Sequence, residues 1–221
     1  MTTPSSSRAT DGNEPAERNN ISISSIRQAL AARQGDNGSG EGAGISAAVA
    51  MIFAGDEQAP DLCVIRRAER AGDPWSGHMA FPGGKREAAD ASVRAAAQRE
   101  TLEEVGLRLR ESHYLAALPH MPVRAGGRDT GIILFPFVYY LGARRGRLSP
   151  NGEVAEAFWI PLSHILDSRN QVEMPLQREG QKLIFPSILY GGHHIWGVTY
   201  RVLMQFAEAL GRSLPGPEHH P

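Results

Sequence analysis

The sequence "AFPGGKREAADASVRAAAQRETLEEVGL", residues 80–107, places a pair of glycines ahead of a segment that ends in three acids. If this segment is helical, Glu100, Glu103 and Glu104 lie three and four residues apart and project from one face. Like charges at this spacing destabilise a helix by a few tenths of a kcal/mol per pair. We therefore expect a positively charged partner for the three carboxylates.

A divalent cation suits these carboxylates, because hard ions such as Mg²⁺ prefer carboxylate oxygens and keep water for substrate phosphates. Arg99 precedes Glu103 by four residues, a spacing that predicts an ion pair and a role in holding the carboxylates in place. Gly83 and Gly84 have no side chains, so their backbone can approach a ligand closely. Taken alone, "RETLEE" also fits a solvated helix face stabilised by charge pairs.

The segments around this helix predict an α/β (α+β) fold with a mixed sheet between helices. An alanine-rich run from about Asp90 to Val105 predicts the central helix, with Asp90 or Ser92 as its N-cap and Gly106 just after its end. "ISAAVAMIF" and "DLCVIRRA" predict a hairpin. Further on, the sequence predicts three strands, in "YLAALPHMPV", "ILFPFVYYL" and "VAEAFWIPL". It then predicts a short helix in "LSHILDS", an extended segment in "KLIFPSILY" and an amphipathic helix in "WGVTYRVLMQFAEALGR".

The charge composition argues against bulk binding to nucleic acid or to a membrane surface. The 221 residues include 23 basic and 24 acidic side chains, a formal net charge of -1. The single cysteine, Cys63, rules out an intramolecular disulfide framework and fits a reducing compartment. The first 20 residues contain acids, among them Asp11 and Glu14, and no apolar signal segment, so we expect a cytoplasmic protein. The oligomeric state is left open, with a homodimer as one candidate.

The acidic helix and the glycines ahead of it resemble the motif of the Nudix hydrolases. The matching residues are Gly84, Arg99, Glu100, Glu103, Glu104, Gly106 and Leu107. Two positions depart from the motif: Asp90 stands where the family usually has Glu, with eight rather than seven residues between it and Arg99, and Thr101 replaces an aliphatic residue. The resemblance implies a Nudix-type α/β/α sandwich and cleavage of a diphosphate joined to another group.

The resemblance also implies roles for individual residues. Glu100, Glu103 and Glu104 would bind Mg²⁺ or Mn²⁺, and Arg99 would hold the carboxylates in position. One of these glutamates, or Glu153 from a later loop, would accept a proton from the attacking water. The implied organisation is a disordered tail at 1–20, a short helix and flexible linker at 21–44, a Nudix domain at 45–212 and a tail at 213–221.

Within the Nudix family, "FPGGKREAAD" and "HHIWGVTYRVL" look like the coenzyme A diphosphatase branch, which extends the resemblance over roughly residues 45–205. An upstream signature of that branch is only partly kept: Arg67, Ala68 and Gly77 match, but Asp73 lies four residues before Gly77 and the spacing has one extra residue. Coenzyme A (CoA) is rich in phosphates, which basic residues and bare backbone near the glycines would bind. The candidates are Arg66, Arg67, Arg70, Gly83, Gly84 and Lys85.

Other residues of this region have two interpretations. Trp75 and His78 would stack on a nucleoside or cover the core, and Trp196 would pack or close the substrate side. The basic residues are equally explained as ordinary surface charge.

Three functions follow from these patterns. The first is a diphosphatase that cleaves CoA or acyl-CoA to 3′,5′-ADP and 4′-phosphopantetheine. The second is a Nudix hydrolase of nucleoside triphosphates, ADP-ribose or dinucleotide polyphosphates, favoured by the altered upstream signature. The third is a catalytically silent nucleotide-binding module, against which the retained glutamates and Arg99 argue. In each case the expected partner is a small nucleotide derivative.

Overall fold

The computed structural model describes residues 21–32, 45–125, 127–178 and 180–216. The predicted N-terminal tail, most of the predicted linker and residues 217–221 lie outside this description. The helices are α1 (Ile23–Ala31), α2 (Val93–Val105), α3 (Leu162–Ile165) and α4 (Gly197–Ala209). The strands are β1 (Ile45–Asp56), β2 (Ala59–Arg67), β3 (Met79–Ala80), β4 (Gly83–Lys85), β5 (Tyr114–Ala117), β6 (Met121–Ala125), β7 (Arg128–Tyr140), β8 (Val154–Pro161), β9 (Gln171–Arg178), β10 (Gln181–Tyr190) and β11 (His193–Ile195).

Strand β1 lies at the centre of a mixed sheet. It pairs antiparallel with β2 and β4 and parallel with β7, and β3, β5, β6 and β8 complete the sheet. Its side chains are buried on both faces: Met51 and Phe53 join one core cluster, and Ala50 and Ile52 join the other. A strand covered on both faces needs apolar residues at every position, which accounts for the unbroken run "AAVAMIF".

Helices cover both faces of this sheet. The first core cluster contains Ile26 of α1, Ile165 of α3 and Phe206 of α4, whereas Ala96 and Ala97 of α2 pack in the second. The small alanines allow α2 to lie close to the central strands. This arrangement confirms the predicted α/β/α sandwich with a mixed sheet.

The capping of α2 agrees with one of the two alternatives in the sequence. The hydroxyl of Ser92 accepts a hydrogen bond from the amide of Ala95 at 3.1 Å, so Ser92 rather than Asp90 is the N-cap. Gly106 ends the helix in the left-handed conformation, with φ of 73°. The loop after β7 then covers this end, because the amides of Ser149 and Asn151 donate to the carbonyls of Val105 and Glu104.

The remaining elements match the sequence less closely. The predicted hairpin is confirmed as β1 and β2, but "YLAALPHMPV" forms two strands, β5 and β6, rather than one. A three-stranded sheet of β9, β10 and β11 includes two strands that the sequence did not reveal. The start of the predicted C-terminal tail is packed: Leu214 is buried, and the hydroxyl of Tyr200 donates to the carbonyl of Pro215 at 2.8 Å.

Candidate active site

Arg99 is the centre of the polar contacts around α2. Its Nη1 donates to Glu100 at 3.1 Å and to Glu103 at 3.2 Å, as the four-residue spacing predicts. Its Nη2 donates to the carbonyl of Lys85 at 3.2 Å, which ties the helix to β4. These contacts fix two of the three acidic side chains and the glycine strand relative to one another.

Asp90 belongs to the same network. Its carboxylate accepts hydrogen bonds from Nε and Nη2 of Arg99 at 3.0 and 3.1 Å, and from the amide of Glu87 at 2.8 Å. Asp90 is buried, and the hydrogen bonds from Arg99 hold its pKa below the usual range. The structure therefore gives Asp90 a structural partner in Arg99, at the position where the motif usually has Glu.

The two glycines lie where side chains would collide with this network. Gly83 has φ of 155°, and a Cβ there would meet the backbone of Ala48 and, at 2.7 Å, that of Val49. Its amide donates to the carboxylate of Glu104 at 2.9 Å. A Cβ on Gly84 would meet the carboxylate of Glu100. The pair of glycines thus lets β4 lie directly against the acids of α2.

The acids of α2 differ in burial and therefore in charge state. The pKa of Glu104 is raised to about 7, mainly by burial; the hydrogen bond from Gly83 opposes this rise, and the nearby Glu100 and Glu153 contribute to it. Burial also raises the pKa of Glu100, with smaller contributions in the same direction from Glu103 and Glu153. Negative charge at Glu100 and Glu104 is therefore costly in the free protein, and a bound cation would lower both pKa values.

The donor chemistry fits a hard divalent cation, although the three glutamates do not converge in this conformation. Glu103 is exposed and paired with Arg99, whereas Glu104 is turned towards Gly83. Across the described ranges, no group of three or more His, Cys, Asp or Glu side chains is placed to hold a metal ion. The fit rests on the carboxylates of the buried Glu104 and the half-buried Glu100 beside half-buried glycine backbone. Carboxylate and backbone oxygens are ligands that Mg²⁺ and Mn²⁺ accept.

Two of the three glutamates of α2 border a cavity of about 300 Å³. Glu100, Glu104 and Glu153 form its acidic side, and Gly83 and Gly84 line it next to them. Glu153 reaches the cavity because its carbonyl accepts a hydrogen bond from the amide of Ala68, at the end of β2. Glu103, by contrast, does not line the cavity.

The predicted phosphate-binding residues divide into two groups. Arg67 and Lys85 line the cavity, and Arg67 pairs with Asp73 at 2.9 Å while its Nε is buried without a hydrogen-bond partner. Arg66 and Arg70 do not line the cavity. Arg66 pairs with Glu156 at 2.7 Å, and Arg70 pairs with Glu153 at 3.1 Å.

Aromatic side chains also line the cavity. Trp75, His78 and Trp196 all line it, and the rings of His78 and Trp196 lie 4.7 Å apart. Asp73 positions the loop of Trp75, because its carboxylate accepts a hydrogen bond from the amide of Trp75 at 2.9 Å. The sequence allowed two interpretations of these aromatic residues, stacking on a nucleoside or packing on the core. The structure places all three on the cavity surface.

The apolar side of the cavity was missed in the sequence. It includes Val49, Val123, Ile132, Leu134, Val198 and Val202. These residues belong to β1, β6, β7 and α4, and each fits an ordinary core pattern within its own element. No local signal distinguishes them, because only the packing of α4 against the sheet brings them together.

Comparison with protein families matches residues 44–178 to the NUDIX domain. Human mitochondrial coenzyme A diphosphatase NUDT8 is 35% identical over 167 residues, which cover 75% of this chain and 69% of that protein. The Nudix hydrolase NudL of Photorhabdus laumondii is 32% identical over 151 residues, or 68% of this chain and 78% of NudL. The chain therefore belongs to the Nudix family, and it is a hydrolase of the diphosphatase class.

A solved structure agrees with this assignment at the level of the fold. The MutT/nudix family protein from Enterococcus faecalis superposes with a TM-score of 0.51 at 13% identity, over 86% of this chain and 70% of that one. The family match ends at residue 178, before β10, β11 and α4. Phe206 of α4 contacts Phe53 of β1, with ring centroids 5.3 Å apart, which supports a domain that continues to the end of α4.

The location of the protein stays a prediction. In the part of the chain that the structure describes, none of the helices is long and apolar enough to cross a membrane. The human relative carries "mitochondrial" in its name. The predicted cytoplasmic location and the candidate homodimer are both open to direct measurement.

Proposed function

We propose that this protein hydrolyses the diphosphate linkage of CoA or acyl-CoA, with Mg²⁺ or Mn²⁺, to 3′,5′-ADP and 4′-phosphopantetheine. The observation that carries the proposal is the character of the cavity: one side is acidic and lined by glycine backbone, and another side is apolar. CoA has the same division, because its diphosphate joins a phosphorylated nucleoside to a pantetheine arm with few charges. The similarity to a coenzyme A diphosphatase supports the same substrate.

The competing Nudix substrates fit this cavity less well. Nucleoside triphosphates and dinucleotide polyphosphates place charged or strongly polar groups on both sides of the bond that breaks, and ADP-ribose places a ribose there. Burying such groups against Val123, Leu134 and Val202 without hydrogen bonds is costly. The pantetheine arm contains a hydrocarbon portion that gains free energy on leaving water.

In the proposed reaction, water adds to one phosphorus of the linkage and the bond from that phosphorus to the bridging oxygen breaks. Bound at Glu100, Glu103 and Glu104, a divalent cation would polarise the phosphoryl oxygens and acidify the attacking water. Arg99 holds Glu100 and Glu103 in place. Glu153, on the cavity wall, is our candidate for accepting the proton of that water.

The basic residues of the cavity complete the proposal. Arg67 and Lys85 are the candidates for contact with the phosphates, and the buried, unpartnered Nε of Arg67 is a donor for which a phosphate oxygen is a suitable acceptor. Arg70 is paired with Glu153, so a phosphate that attracted Arg70 would release Glu153. Arg66 is assigned a structural pairing with Glu156 rather than a substrate contact.

Mass spectrometry tests the proposal directly. Purified protein is incubated with Mg²⁺ or Mn²⁺ and with CoA, ADP-ribose or a nucleoside triphosphate mixture in separate reactions. We expect 3′,5′-ADP and 4′-phosphopantetheine from CoA, at a kcat/KM above that for the other substrates. If CoA stays intact while a competing substrate is cleaved, CoA is not the substrate. Tight binding of CoA without turnover under either metal would indicate a binding module.

A further inference from the structure

Most of the apolar side of the cavity comes from three parts of the fold. Val123 comes from β6, Ile132 and Leu134 from β7, and Val198 and Val202 from the first two turns of α4. All except the half-buried Val198 are buried. This surface is continuous with the acidic side, because the same cavity contains Glu100, Glu104 and Glu153.

The charges of a diphosphate exclude it from this apolar surface. An ionised phosphate without hydrogen-bond donors is strongly disfavoured there, whereas Arg67 and Lys85 line the polar side. A substrate whose diphosphate lies near the acids of α2 therefore has to offer an uncharged arm to the valines and Leu134.

The nucleoside has a different set of partners in the same cavity. Trp75, His78 and Trp196 present flat rings, which suit a base by stacking. The aliphatic side chains of Val123, Leu134 and Val202 offer no hydrogen-bonding group to the polar edge of a base or to a ribose. The aromatic and the aliphatic residues therefore suit different ends of an asymmetric diphosphate.

We infer that the apolar surface formed by Val123, Ile132, Leu134, Val198 and Val202 is a binding subsite for the pantetheine arm and its thioester. This inference rests on the proposed function and assigns the orientation of the substrate. The protein then selects its substrates by the uncharged arm of the diphosphate, in addition to the nucleoside. Binding energy from this remote arm contributes to turnover, so that shortening the arm lowers kcat/KM.

A truncated substrate tests the subsite. The analogue keeps the 3′-phosphorylated adenosine and the diphosphate of CoA but carries only a methyl ester in place of the pantetheine arm. The measured quantity is the ratio of kcat/KM for CoA to kcat/KM for the analogue. Since a single methylene in an apolar pocket is worth roughly 10-fold or more in discrimination, we expect a ratio of about 100 or above for the unmodified protein.

Two substitutions of Val198 test whether the preference for CoA over the analogue arises at the apolar surface. Val198→Phe fills part of the apolar surface and should lower the ratio about 10-fold or more. Val198→Ala removes contacts without adding volume and should lower the ratio by a smaller factor. The test therefore does not depend on whether the Val198→Phe protein folds. Leu189→Phe is the matched control, because Leu189 is exposed on β10, away from the cavity, and should keep the ratio.

The outcomes separate the inference from the proposed function. Cleavage of CoA with a ratio near one, or an equal loss for both substrates in each Val198 variant, would overturn the subsite and leave the diphosphatase activity in place. A protein that cleaves ADP-ribose but neither CoA nor its analogue would overturn the proposed function, and the inference with it. A high ratio that both Val198 variants lower, and Leu189→Phe keeps, supports the subsite.

Discussion

Arg99 and Asp90 form a bidentate ion pair, with Nε and Nη2 of the guanidinium 3.0 and 3.1 Å from the two carboxylate oxygens. The carboxylate is buried and the guanidinium is mostly so. Through its third nitrogen the same guanidinium contacts Glu100 and Glu103. The pair therefore connects the loop that follows the glycines to the acids on the last turns of α2.

Replacing Asp90 should affect stability and activity together. In Asp90→Asn the guanidinium loses its buried charged partner, and we expect a loss of about 1–3 kcal/mol in the free energy of unfolding at pH 7. We also expect a fall in kcat, because Arg99 is then free to rotate away from Glu100 and Glu103. Denaturant unfolding and steady-state kinetics measure the two effects.

The effect of Asp90 on stability should depend on pH in a definite direction. Its pKa is lowered in the folded protein by Arg99, so its contribution is present above the unfolded pKa of about 3.8 and is lost as pH falls through the lower folded value. The difference in stability between the original protein and Asp90→Asn should therefore shrink below about pH 4. Asp129→Asn is the control, because it removes a carboxylate from the exposed start of β7. A difference that grows towards acid would contradict the pairing.

A side chain at Gly84 should be compatible with folding but should lower activity. The three atoms nearest to the Cβ of Gly84→Ala would all belong to the movable carboxylate of Glu100, so the protein should fold while that carboxylate is displaced. We expect a loss of activity of about 10-fold or more with a change in melting temperature of a few degrees at most. Gly216→Ala, where nothing lies within 4 Å of the added Cβ, is the matched control. Full activity in Gly84→Ala would argue against a role for Glu100.

Gly83 should behave differently from its neighbour. Its Cβ would meet the backbone of β1, which cannot move aside without breaking the central strand pairing, and its φ of 155° is unfavourable for alanine. We expect Gly83→Ala to lower the melting temperature strongly or to prevent folding. Thermal unfolding followed by circular dichroism compares it with Gly84→Ala, and equal stability of the two variants would contradict this distinction.

Glu103→Gln tests the metal assignment while preserving shape. Glu103 is exposed, so the neutral amide should leave stability almost unchanged. We expect turnover to fall by roughly 100-fold and the Mn²⁺ concentration for half-maximal activity to rise. Glu111→Gln makes the same chemical change at an exposed glutamate paired with Arg94 and should keep full activity. An unaltered metal dependence in Glu103→Gln would remove this residue from the metal site.

Local patterns were sufficient for much of the fold and for the acidic helix. The spacing of Glu100 and Glu103 from Arg99, the caps at Ser92 and Gly106, and the apolar run of β1 are properties of short segments, so they are visible in the sequence. They predict the helix, the hairpin and the network of Arg99. The short strands β3, β4 and β11 were missed because two or three residues carry no periodicity.

Long-range packing determines what the sequence did not reveal. Val123 and Val202 face one cavity only because α4 packs against the sheet beside β6, and no sequence spacing encodes that contact. The partner of Asp90 depends on how the loop returns to α2, although the distance along the chain is short. Arg66 and Lys85 look alike in sequence, but Arg66 is paired with Glu156 outside the cavity and Lys85 lines it.

Asp73 should control substrate affinity through Arg67. Its carboxylate pairs with Arg67 at 2.9 Å and accepts the amide of Trp75 at 2.9 Å, so it positions two residues of the cavity wall. In Asp73→Asn the hydrogen bond to Trp75 can persist while the ion pair is lost. We expect KM for CoA to rise about fivefold, equivalent to about 1 kcal/mol, with a smaller change in kcat. Asp73→Glu keeps the charge and should therefore lose less affinity than Asp73→Asn. The control is Asp129→Asn, at the exposed start of β7. A fall in kcat at constant KM would instead place Asp73 in the chemical step.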